Sequence, residues 1–118
     1  MWKLNILKFK SEIKMAEDIT QEEWEDLIAN DDKAVILDVR TEEEVEEGYI
    51  PNMINIDIRL GQDFLDEVKK LDTSKNYYIY CRSGARSAQA CTLMGQMGFD
   101  NTYNLIGGYM NWDGEVVE

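Results

Sequence analysis

The chain has 118 residues, enough for one domain with a single core and too few for a second. Its formal net charge of −12 at pH 7 argues against nucleic acid as a partner, because phosphate binding needs a basic field. Two cysteines and no histidine put a four-ligand zinc site out of reach, along with every catalytic dyad or triad that uses histidine as its base. No metal and no cofactor are expected.

No apolar run approaches the roughly 18 residues that span a bilayer, so no membrane partner is expected. The opening "MWKLNILKFK" interrupts its apolar residues with lysines, and no small-residue cleavage site follows. These features point to an intracellular, cytoplasmic protein. Residues 1–14 are read as an N-terminal arm or an added edge strand, with the folded domain over 15–118.

From Thr20 the pattern sharpens. "TQEEWEDLIAN" opens with Thr20 and places Glu23 three residues on, a capping box, with Trp24, Leu27 and Ile28 on one helical face. "KAVILDV" is a short, continuous apolar run rich in β-branched residues, the signature of a strand covered on both sides. "RTEEEVEEG" offers Thr41 as cap, Glu44 as its partner and Gly48 as stop, a short acidic helix whose charges read as a solvated face. "INIDI" alternates like a strand, and "QDFLDEVKKL" repeats Phe64, Leu65, Val68 and Leu71 at helix spacing.

"NYYIYC" is a second buried strand. A helix is expected from near Ser87, with Ala90, Leu93, Met94 and Met97 on one face and Gly98 at its C-cap. "NTYNL" is a last short strand, followed by "IGGYMNW". Alternating strands and helices predict an α/β domain: an open, mainly parallel sheet with helices on both faces.

Cys81 falls at the carboxyl end of the "NYYIY" strand, where open parallel sheets bind ligands. The loop that follows, Arg82, Ser83, Gly84, Ala85 and Arg86, is small, and Gly84 can take backbone angles closed to other residues. Its amides can turn inward as an anion-binding nest beside a helix N-terminus. A cysteine at the base of such a nest ionises easily, which answers the missing histidine. The alternative is a cysteine that merely packs, as small hydrophobes do at strand ends. Cys91, mid-helix beside Ala90 and Leu93, has none of these features and reads as structural. The two thiols are expected to stay free, because a helix separates them and a reducing compartment disfavours their pairing.

Three stretches, "LDVRTEEEVEEGYIPNMINI" (37–56), "YIYCRSGARSAQA" (78–90) and "GFDNTYNLIGGYMNW" (98–112), resemble signatures of the rhodanese family in order and spacing. The likeness covers residues 17–113 and leaves out the N-terminal arm. It implies a rhodanese-like, five-stranded, mostly parallel sheet and the transfer of sulfane sulfur through a cysteine persulfide. Cys81 matches the sulfur-accepting cysteine, and Arg82 to Arg86 with Ser87 match the loop that holds the persulfide and the donor's oxygens. Arg40 matches an arginine near the substrate, and Asp38 the acid that helps to fix it; an internal ion pair bracing the strand end is the other reading of these two. Gly107, Gly108 and Trp112 match a closing motif expected to be structural.

The implied partners are a small sulfur anion such as thiosulfate, or a persulfide donor, with a thiol, cyanide or a sulfur-relay protein as acceptor. Where the family commonly reads GHIPGA this chain has "GYIPNM", so Tyr49 and the pair Asn52 and Met53 are expected to repack the structure there and could alter substrate access. Two rival classes share parts of the pattern. Cysteine-dependent phosphatases and arsenate reductases typically have a longer loop than the four residues separating Cys81 from Arg86. Non-catalytic rhodanese-like interaction modules usually lack the cysteine.

Overall fold

The computed structural model describes residues 16–118. Along these residues run strand β1 (Ala16–Ile19), helix α1 (Gln21–Ala29), β2 (Ala34–Asp38), α2 (Glu42–Glu46), β3 (Met53–Asn55), α3 (Gln62–Val68), β4 (Asn76–Tyr80), α4 (Ala85–Gln96) and β5 (Asn101–Leu105). Short 3-10 turns cover Ile58–Leu60 and Tyr109–Asn111. The five strands form one sheet in the order β1-β5-β4-β2-β3, every pairing parallel.

β4 is the central strand, and its alternation builds the two-sided core. Tyr77, Ile79 and Cys81 face a cluster with Phe64 and Val68 of α3 and with Ala90, Cys91 and Met94 of α4. Tyr78 and Tyr80 face the other way, onto Trp24 of α1 together with Ile19, Ile50 and Leu105. Aromatic edges meet there: the Trp24 ring lies 5.7 Å from Tyr78 and 6.2 Å from Tyr80, both T-shaped.

The capping boxes at Thr20–Glu23 and Thr41–Glu44 are both formed. Four details differ from the sequence expectation. The fifth strand is β1, whose short polar "AEDI" gave no strand signal; parallel pairing with β5 recruits it as an edge. Leu27 is exposed, because only Trp24 and Ile28 of α1 reach the core. "INIDI" contributes only Ile54 and Asn55 to β3, which starts at Met53, since Asp57 caps the 3-10 turn by accepting from the Arg59 amide. α4 begins at Ala85 rather than near Ser87, so Arg86 and Ser87 stand in its first turn. The arm or strand expected over residues 1–14 lies outside the described residues.

Asn52 takes a left-handed backbone (φ 69°) at the point where the family commonly places glycine. Asparagine is among the few residues that tolerate this conformation, so the turn into β3 survives the replacement. Tyr49 forms a backbone bridge with Val117, which ties the chain's last residues across this turn.

Candidate active site

β2 and β4 are neighbours whose connections leave in opposite directions, β2 to β3 at one edge and β4 to β5 towards the other. This is the switch point at which an open parallel sheet forms a crevice beyond its carboxyl ends. Asp38, Val39 and Arg40 leave the end of β2 there, and Cys81 leaves the end of β4.

Cys81 has 1% of its surface exposed. Its Sγ accepts from the Gly84 amide at 3.1 Å and from the Ser87 amide at 3.4 Å, and it lies 3.3 Å from the Ser87 hydroxyl. Gly84 makes this possible: at φ 111° it turns the loop back over the sulfur and starts α4. Burial alone would push the Cys81 thiol up. Hydrogen bonds from the Ser87 hydroxyl and from the amides of Ser87, Gly84 and Ser83 outweigh burial and hold it below its ordinary value. Cys91, buried among the α4 packing, is pushed up to about 12 by burial. Both thiols are free.

The closing glycines secure the loop from below. Tyr109 and Met110 donate their amides to the carbonyls of Cys81 and Arg82 at 2.8 and 2.9 Å. Gly108 packs so closely against this backbone that an added Cβ would sit 2.5 Å from the Arg82 carbonyl oxygen and 2.7 Å from that of Cys81.

The two arginines expected to face the anion are placed differently from each other. Arg86 is bound by Glu44 through two hydrogen bonds of 2.7 and 2.8 Å. Glu44 was expected on a solvated face; instead it is the acidic partner of the cysteine loop, and Arg86 holds its carboxyl at about 2. The sequence carried the clue only as a capping residue, because pairing across 42 positions leaves no local signature. Arg82 is exposed.

Arg40 is buried, 3% exposed, and forks onto the Asp38 carboxylate at 2.7–3.1 Å. It also donates to the carbonyls of Gly48 at 2.8 Å and Glu44 at 3.3 Å, and its guanidinium lies 4.4 Å from the Tyr109 ring centre. Arg40 therefore ties the end of β2 to α2 and to the turn that clamps Cys81. Asn55 completes the brace by donating to the carbonyls of Asp38 and Arg40.

Two concavities lie near this end of the sheet. The larger, about 770 Å³, runs along α3 and is lined by Asp57, Asp63, Asp66 and Glu67 among others, none of them from the cysteine loop. The smaller, about 240 Å³, is lined by Arg40, Glu44, Glu47, Arg82, Tyr109 and Met110. Of the two, only the smaller is lined by a residue of the cysteine loop, Arg82, beside Arg40 and Tyr109; Cys81 itself lines neither.

Comparison with known proteins agrees with this geometry. The family model for the rhodanese-like domain matches residues 20–115. The chain belongs to the rhodanese-like domain family. Among its relatives, the protein named "Putative sulfurtransferase YtwF" of Bacillus subtilis is 42% identical over 89 residues, which span 75% of this chain and 82% of that one. The tRNA uridine(34) hydroxylase of Wolbachia sp. subsp. Brugia malayi is 31% identical over 82% of this chain, but this rhodanese-like domain spans only 40% of that protein. The crystal structure of a rhodanese-like domain protein from Staphylococcus aureus superposes with a TM-score of 0.72 at 31% identity, covering 84% of this chain and 93% of that one. Among the described residues, no helix of the rhodanese-like domain is long and apolar enough to cross a membrane.

Proposed function

We propose that this protein is a sulfurtransferase that carries sulfane sulfur as a persulfide on Cys81. One observation carries the reading: a buried sulfur at the sheet's switch point, aimed at by two loop amides and a hydroxyl, with its thiol held below the ordinary value. Relatives named as sulfurtransferases support the class of reaction. The hydroxylase likeness does not compete, since most of that protein's length lies outside the shared stretch.

The step needs no base. The Cys81 thiolate attacks the outer sulfur of a donor such as thiosulfate, a new S–S bond forms, and the donor's S–S bond breaks with its electron pair leaving on sulfite. The persulfide then yields its outer sulfur to a thiolate, cyanide or the cysteine of a relay protein, and Cys81 leaves as the thiolate. Negative charge is conserved through both steps and no proton moves, which a chain without histidine can sustain. The amides of Ser83, Gly84 and Ser87 hold the charge while it lies on the Cys81 thiolate, as preformed dipoles.

Intact mass after incubation with thiosulfate, and separately with a small persulfide, tests the reading. A gain of one sulfur atom is expected in the wild type and in Cys91→Ala, and none in Cys81→Ala. No adduct from either donor would overturn it. Hydrolysis of an aryl phosphate without any sulfur transfer would move the site to the phosphatase class.

A further inference from the structure

Behind Cys81 stands a chain of buried polar groups that the sulfur chemistry as described does not use. Asn104 of β5 is 5% exposed, and Ser87 of α4 is fully buried. The Ser87 hydroxyl oxygen is in hydrogen-bond contact with two acceptors, the Asn104 Oδ1 and the Cys81 Sγ. A hydroxyl has one proton and can donate to only one of them at a time.

The Asn104 amide cannot resolve the conflict by turning over. Its Nδ2 donates to Asp18 Oδ1 at 3.0 Å and to the Gly84 carbonyl at 3.2 Å, both of them acceptors. Those two contacts fix Nδ2 on their side and leave Oδ1 facing Ser87, where it can only accept. Two acceptors, one neutral carbonyl and one sulfur of changing charge, therefore share a single proton.

We infer that Asn104 is a positioning residue for Cys81: its side-chain carbonyl competes with the sulfur for the Ser87 proton, so the hydroxyl turns towards the sulfur when that is an anion and back to Asn104 when it is not. With Cys81 as a thiol, the order runs S–H to the Ser87 oxygen and Ser87 O–H to Asn104. With the thiolate, the stronger acceptor takes the proton and Asn104 loses its partner. Once a second sulfur is attached, the charge moves to the outer atom and the hydroxyl returns to Asn104. This last state rests on the persulfide reading above; the competition between thiol and thiolate does not.

Other charged groups act on Cys81 but do not share this proton. Arg86 of α4 is the charge coupled to the sulfur, and Glu44 of α2 neutralises it. Asp18 of β1 holds the far end of the Asn104 amide. Arg40 at the end of β2 is taken up by Asp38. None of these has an atom on the Ser87 hydroxyl.

The test is the thiolate absorbance at 240 nm between pH 4 and 8.5, corrected with Cys81→Ala, across wild type, Ser87→Ala, Asn104→Leu and the double variant. Asn104→Leu frees the Ser87 proton for the sulfur, so the Cys81 acid constant should rise roughly three- to tenfold relative to the same change made in the Ser87→Ala background, the weight of about one hydrogen bond. A loop merely loosened by loss of the Gly84 contact would move both backgrounds alike, and equal shifts overturn the inference. Asn104→Ala carries the same expectation should the leucine variant not fold. In the unaltered protein the Asn104 side-chain amide NMR signals should titrate with the Cys81 midpoint, and signals that stay still across it would also overturn the inference. Failure to load sulfur with this coupling intact would count against the persulfide, not against the proton sharing.

Discussion

Replacing Glu44 by glutamine isolates the contact that the acidic run concealed. Glutamine keeps the volume and can still serve the Thr41 capping box, so the change removes chiefly the charge facing Arg86. Arg86, with a smaller part from the Thr41 cap, lowers the Glu44 carboxyl from 4.5 to about 2, and at about 1.4 kcal/mol per pKa unit this sets an upper limit of about 3.5 kcal/mol at neutral pH. The two side chains are 19% and 20% exposed, so solvent screens part of the attraction, and a loss of about 1–2 kcal/mol is expected for Glu44→Gln.

The sign of the pH dependence follows from the depressed value. The contribution is complete above the unfolded carboxyl's 4.5 and is lost as pH falls towards the folded value of about 2. Urea unfolding of wild type and variant at pH 7 and at pH 3 reads it directly. The stability difference should shrink by more than half between the two. A difference that persists undiminished at pH 3 would show that Glu44 acts by packing, and no difference at pH 7 would refute the pairing itself.

Three further outcomes are expected. Gly108→Ala forces a Cβ against the carbonyls of Cys81 and Arg82 at a φ of 59°, so a stability loss of about 2 kcal/mol or more is expected by thermal or urea unfolding, together with loss of sulfur loading. Cys91→Ala should cost about 1 kcal/mol for one buried sulfur and leave the Cys81 titration unchanged. Arg40→Met leaves Asp38 as a buried charge without its fork, so about 3–5 kcal/mol should be lost in the same unfolding assay.

The elements that could be read from sequence are those whose signal is local. Thr20 and Thr41 announce their helices with capping boxes four residues long, and "NYYIY" announces a buried strand by composition alone. The cysteine loop was legible for the same reason, since a strand end, a glycine and a helix start lie within seven residues, 81–87. What escaped depends on distant pairing. β1 is a strand only because β5 offers its edge, and Glu44 joins the site only because the fold brings α2 against α4. Asn104 gave no signal at all: it sits in a strand whose period places it inside, and only three-dimensional neighbours reveal an amide locked by Asp18 and Gly84.

The placement of Arg86 also decides what kind of force ionises Cys81. A chain of net charge −12 offers a poor background for a thiolate, and a free arginine would be the simplest remedy. Here the arginine next to the sulfur is largely neutralised by Glu44, and the groups that touch the sulfur are uncharged amides and a hydroxyl. Salt distinguishes the two cases by sign. If a cation held the thiolate, screening would weaken that attraction and raise the Cys81 pKa with ionic strength. Oriented amides in a buried loop are hardly screened, and salt acts chiefly on the acidic surface, so the pKa should stay level or fall slightly between low salt and 1 M. A rise of tenfold in proton affinity would return the arginine to the centre of the chemistry. A flat or falling titration leaves the fold itself, through the start of α4 and the clamp of Gly108, as the source of the reactive sulfur.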